Sequence, residues 1–265
     1  LPTAMQIEES LITTREVTDW QGLHLFHFDL SSCSQKVRIV FRELGVSFVP
    51  HPINLMRDEQ RTDWYLGINP RGEVPVLVHD GVVHAQSNDI IQYIDKHFAP
   101  PERSFLPASP AERAEMQGLL DLEDDLHRDL RTVTFTYLAP DTKNRASDSK
   151  ESLDFIGRIH TAFQKLDQLL ISRAYLLGDR LTLLDISWFI TLYRLDLAGY
   201  PLAEHPKLSS YFDRIKARRT FVEEINAGPP QLRLGAAVYR RLNRIFSRSL
   251  ARDYARWQRS ISTTS

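Results

Sequence analysis

Only one cysteine, Cys33, occurs in the 265-residue chain. That excludes an intrachain disulfide framework and fits a reducing, cytoplasmic setting. No run of 18 apolar residues is present, so no membrane span is expected. The net charge is −1, which gives no global attraction to nucleic acid. The first 22 residues lack a basic start followed by an apolar core and carry Glu8 and Glu9, unlike a secretory signal. The chain begins at Leu1, with Met5 as the candidate native start. Nine histidines are present, yet no ligand spacing joins His24, His27, His79, His84 or His97 to a Cys or carboxylate cluster, and no metal is expected. What the chain has is 42% hydrophobic residues, enough for a sizeable core. Two domains are the better count, because strand signals stop near Phe98 and helical periodicity takes over.

The densest chemical signal is Ser31-Ser32-Cys33-Ser34. Before it, Leu23 to Phe28 reads as a strand; after it, Val37, Val40, Phe41 and Leu44 fall at helical spacing, with Gly45 as the stop. The serines therefore occupy the start of a helix, where unpaired N–H groups and roughly half a positive charge welcome an anion or thiolate. Plain N-cap serines beside a buried cysteine are the bland alternative. Further on come a Val74-Pro75 entry to a strand over Val76 to Val78, an Asp80-Gly81 turn, a second strand over Val82 to His84, and a helix opened by Gln86-Ser87. Val46 to Val49 is a short strand candidate, and Asp58 to Leu66 a polar, partly helical connection.

In this order of motifs the half resembles the thioredoxin-like domain of the glutathione S-transferase family. The nearest motif match is to the zeta-like Ser-x-Cys-Ser members, which include maleylacetoacetate isomerases, bacterial reductive dehalogenases and β-etherases. The resemblance is strong over Leu23 to Phe98 and weaker over Phe105 to Glu224. It implies glutathione as co-substrate, with Ser31 or Ser32 donating a hydrogen bond to the thiolate and Cys33 engaged only if the reaction is redox. It further implies a cis Val74–Pro75 turn that pairs with the glutathione backbone, and Gln86 with Ser87 at the γ-glutamyl carboxylate. Gln60 is a weaker candidate for the glycine end. A free thiol with pKa about 8.5 is only a few per cent ionised at pH 7, and lowering it by about two units corresponds to about 2.7 kcal/mol. One charge-assisted hydrogen bond and a favourable helix end supply that much.

The expected architecture is α/β plus all-α: an extension over 1–22, a thioredoxin-like glutathione-binding domain over 23–99, a helical substrate domain over 105–226, and a basic amphipathic extension over 227–265. In the helical part, Thr182 and Asp185 form a capping-box start to an apolar helix, a folding element rather than a catalytic one. The residues near Met116 to Leu130 are expected to wall an apolar co-substrate pocket. From Ala227 onward the chain carries +7, leaving −8 for the rest. That tail reads as packing on acidic surface of this chain or a partner; binding to a membrane surface is the competing reading. The resemblance also implies a dimer, either of two identical chains or with a related subunit.

The expected function is attack of glutathione thiolate on a small aromatic or unsaturated electrophile, by conjugation or β-aryl ether cleavage. Reductive dehalogenation and cis–trans isomerisation are alternatives within the family. The helical part shows no counterpart of the Gln-Pro-Leu-Gln-Asn-type glutathione contact of the zeta isomerases. A non-catalytic interaction protein is the competing class.

Overall fold

The computed structural model describes residues 5–133, 137–138, 150–227, 241 and 250–262. They form two compact units, residues 1–108 with 219–227, and residues 109–218 with 228–265.

The first unit is a five-stranded sheet built from β1 (Met5–Gln6), β2 (Leu23–His27), β3 (Val49–Pro52), β4 (Val76–His79) and β5 (Val82–Ala85), in the order β1-β5-β4-β2-β3. Only β2 and β3 are parallel, so the chain must cross over between them, and it does so through helix α1 (Ser32–Leu44). Gly45, in the left-handed region at φ 69°, stops α1 as its position suggested. The β4–β5 hairpin closes through Asp80 and Gly81, both at positive φ as a two-residue hairpin turn demands. β3 begins at Val49 rather than Val46, and lies at the sheet edge, where its two prolines leave no inner ladder donor missing.

Alternation divides the strands between two faces. Phe26, Val76, Val78 and Val83 pack with Ile53, with Tyr65 of the short helix α2 (Asp63–Leu66), and with Ile7, Ile12 and Val17. Residues 5–22 are thus a strand and a core layer of the first unit, which corrects the expected separate extension. The apolar side chains at 7, 12 and 17 are too sparse to show periodicity, so this role was not visible. Leu25, His27 and Leu77 have the opposite parity and face the side of α1 and α3 (Ser87–Phe98), whose Val37, Val40, Ile90, Ile91 and Ile94 are fully buried.

The second unit contains α4 (Pro110–Val133), α5 (Lys150–Leu169), α6 (Leu183–Ala198), α7 (Pro206–Lys216) and a terminal helix, α9 (Leu250–Ser262). Helix α6 is buried over most of its circumference, as its nearly continuous apolar sequence requires. Its start is set by Asp185, which accepts from the amide and hydroxyl of Thr182 (2.7 and 2.8 Å), the amide of Leu176 and the hydroxyl of Tyr211. Glu123 of α4 is fully buried and accepts from Ser187 (2.9 Å) and Thr191 of α6. Met116, Leu119, Leu120, Leu126 and Leu130 are all buried in this unit's own core. Their spacing is that of the face α4 turns to α6.

Helix α8 (Arg219–Asn226) belongs to the first unit, packed on α1, so the expected helical domain over 105–226 ends too late. Of the basic tail, Leu232 to Arg240 and Leu242 to Arg248 lie outside the described residues. Helix α9 docks on α5 through aromatic contacts: Tyr254 Oη meets His160 Nδ1 at 2.9 Å, and Trp257 lies over the same imidazole. A side chain at Gly157 would come within 3.0 Å of the Trp257 indole nitrogen, so glycine admits the helix there. No helix among the described residues is long and apolar enough to cross a membrane.

Candidate active site

Sheet register places the three sequence motifs at one edge. Phe26 pairs with Val76 and Leu77 with His84, so the carboxyl end of β2, the amino end of β4 and the carboxyl end of β5 are adjacent. The chain leaves β2 into Ser31–Ser34, enters β4 from Val74–Pro75, and leaves β5 into Gln86–Ser87. Helices α1 and α3 therefore both begin at this edge, and a buried bond from Lys36 Nζ to Asn88 Oδ1 (3.5 Å) ties their first turns together. Ser31, Ser32, Cys33, Val74, Pro75, Gln86 and Ser87 are brought together.

Ser31 is the N-cap of α1: its Oγ accepts from the Ser34 amide at 3.2 Å, as a serine ahead of an amphipathic run should. Accepting uses the oxygen and leaves the hydroxyl proton to donate elsewhere. The Ser31 amide donates to Phe28 O (3.1 Å), and the Phe28 amide donates to Ser34 Oγ (3.3 Å), which folds the connection tightly over the helix start. Ser32 and Cys33 follow in the first turn, half-buried like Ser31. Just before the loop, His27 is buried, and its pKa falls to about 4, through burial first and the neighbouring Arg38 guanidinium second. It is therefore a neutral acceptor at physiological pH.

The Val74–Pro75 peptide bond is cis, and both residues are buried. The loop before it is held by the Glu73 carbonyl, which accepts from Tyr65 Oη (2.8 Å) and Asn69 Nδ2 (2.9 Å). Gln86 occupies the N-cap position of α3 at φ 67°, ψ 117°, with no side-chain capping bond. A non-glycine residue there costs on the order of 1–3 kcal/mol, and such outliers cluster at functional sites. Ser87 opens α3 and is 7% exposed. Gln60 lies apart in sequence, on a single turn whose backbone carbonyl packs 2.8 Å from where a Cβ at Gly72 would stand; only glycine fits there. The turn thus abuts the loop leading to Val74. The Gln60 Oε1 is buried without a partner among the described residues, while its Nε2 donates to Asp58.

Asn69, Tyr65, Lys36 and Asn88 support this edge and were not singled out from sequence. Nothing local marks a tyrosine or lysine whose bonds span the fold.

The chain matches the model of the glutathione S-transferase N-terminal domain over residues 25–102 and that of the C-terminal domain over residues 116–214. Glutathione S-transferase 1 of Dianthus caryophyllus is 32% identical over 70% of this chain and 85% of its own length. The chain belongs to the glutathione S-transferase family. Glutathione is the co-substrate of this family, and the thioredoxin-like sheet unit with a helical unit after it is the family fold. Maleylacetoacetate isomerase of Pseudomonas aeruginosa is 28% identical over 78% of this transferase-family chain and 98% of its own length. Protein LigF of Sphingobium sp. is 38% identical over 95 residues, 36% of this chain and 37% of its own. The solved structure of the β-etherase LigF superposes with a TM-score of 0.67 at 24% identity, covering 78% of this chain and all of LigF.

Proposed function

We propose that this chain binds glutathione at the shared sheet edge and uses its thiolate to attack a small aromatic or unsaturated electrophile, by conjugation or β-aryl ether cleavage. The observation that carries the reading is the convergence of Ser31–Cys33, Val74–Pro75 and Gln86–Ser87 on the start of two helices. In this reading the glutathione cysteinyl backbone pairs with Val74 as an added strand. Its γ-glutamyl carboxylate meets Ser87 and the α3 amides beside Gln86, and Gln60 reaches the glycine end. The sulfur then lies at the amino end of α1, where the Ser31 or Ser32 hydroxyl donates to it and the helix end stabilises its charge. A thiolate so held displaces an aryl ether oxygen or adds to an activated double bond, leaving a thioether and needing no second sulfur. The similarity to LigF supports ether cleavage.

The isomerase relative, matched over nearly its whole length, favours a second reading: reversible addition of the thiolate to a cis double bond, rotation and release. Half-buried Cys33 in the first turn of α1 also keeps reductive dehalogenation in view, in which a second sulfur attacks the thioether. Product analysis with aryl ethers, halogenated hydroquinones and maleylacetone, on wild type and Cys33→Ala, separates the three. Thioether products formed equally by both proteins support the proposal. Glutathione disulfide appearing in step with product, and only with Cys33 present, assigns the redox reaction instead. Turnover of maleylacetone alone assigns the isomerase.

A further inference from the structure

Arg38 projects from α1 toward the segment that precedes the serine cluster, and every N–H of its guanidinium is used. Nη1 meets His27 Nδ1 at 3.0 Å and Phe28 O at 3.2 Å. Nη2 donates to Asp29 O (2.9 Å) and to Glu224 Oε1 (2.5 Å), and Nε donates to the same carboxylate oxygen at 3.0 Å. Arg38 is 6% exposed and Glu224 1%. Glu224 comes from α8, 186 residues away in sequence and beyond the residues that match the family's C-terminal domain.

A buried ion pair is a weak source of stability, since the desolvation cost offsets most of the attraction; its better-attested use is to specify one arrangement. Here the arrangement specified is that of the loop. The Phe28 carbonyl that accepts from Arg38 also accepts from the Ser31 amide, and the Phe28 amide donates to Ser34. A planar fork with five donors reaches two carbonyls, an imidazole and a carboxylate together; a lysine ammonium, with three donors on one atom, does not.

We propose that Arg38 and Glu224 are positioning residues that fix the 27–29 loop and thereby aim the Ser31 hydroxyl and the amino end of α1 at the glutathione sulfur. The inference rests on the glutathione-thiolate reading above and deepens it: a segment that follows the helical domain in sequence sets the reactivity of the thiol. His27 completes the device from the strand side, as a neutral acceptor for the same guanidinium.

The test is an ultraviolet titration of the thiol of bound glutathione on the full chain, for wild type, Glu224→Gln and Arg38→Lys, beside glutathione affinity and amide hydrogen exchange. Wild type should hold the thiol well below its free pKa. Both variants should bind glutathione within about threefold of wild type yet raise the bound-thiol pKa by about one unit, roughly tenfold less thiolate at neutral pH. Exchange should quicken at residues 28–34 and not across the rest of the sheet. Folded variants with the wild-type titration curve would overturn the proposal. So would loss of the fold in both, since the pair would then hold the unit together rather than aim a loop. A wild type that leaves the thiol pKa unmoved overturns the glutathione reading itself, and the proposal with it.

Discussion

Ser31 serves two ends that substitution can separate. Its oxygen caps α1, and in the proposed reading its proton donates to the glutathione sulfur. Ser31→Ala removes both and should lower stability by about 1 kcal/mol while reducing turnover roughly 10²-fold. Ser31→Asp keeps a capping oxygen but brings a negative charge and no proton, so thermal melting should stay near wild type while turnover falls at least as far. If Ser31→Asp keeps full turnover and Ser32→Ala loses it, Ser32 is the donor. Cys33→Ala should cost little in conjugation or ether cleavage, as measured with the same substrates.

The serine cluster and both later motifs were legible in the sequence because each is local: a capping residue, a turn dipeptide, a helix start. The positive φ of Gln86 was not, since glutamine carries no preference for that region, and the sheet edge around it imposes the conformation. The bonds of Arg38 were likewise invisible, because its partners lie on a strand, a loop and a helix that only the fold brings together.

Among elements, β5 and the end of β2 each bury a histidine whose pKa falls to about 4, mainly through burial. For His84 the histidines 79 and 97 add to the effect; for His27 it is Arg38. The unfolded chain takes up these protons near pH 6.5, so between about 6.5 and 4 the unfolded state binds more of them. Stability should be level above pH 6.5 and decline as the pH falls toward 4, by an amount on the order of 3 kcal/mol per buried histidine. Both ring nitrogens of His84 lack partners among the described residues, and the ring lies 4.1 Å from that of Tyr93. His84→Phe should therefore melt no lower than wild type at pH 7.5 and lose stability more gently on acidification, read by thermal melts across the range. A steeper acid decline in His84→Phe would contradict this assignment. The strand itself was legible from Val82 to His84; that its histidine is buried was not, because the ring lies against Tyr93 of α3, which only the fold brings to it.

At the scale of the molecule, the division into a sheet unit and a helical unit was readable from where strand periodicity ends. The exchange of α8 into the first unit was not, since contact across so long a separation leaves no local trace. The acidic remainder suggested electrostatic docking of the basic tail; of its described part, α9 meets α5 through Tyr254 and Trp257 against His160. Truncation after Gly228 should accordingly lower the melting temperature by several degrees. Unchanged melting together with lost binding to anionic liposomes would assign the tail to a membrane surface.

Titration calorimetry with glutathione at pH 7.5, on wild type and Ser87→Ala, tests the central claim most directly. The account predicts one site per chain, weakened by about 1–3 kcal/mol in Ser87→Ala through loss of a hydrogen bond to a charged group. No heat with wild type at millimolar glutathione, or equal affinity in the two proteins, would contradict it.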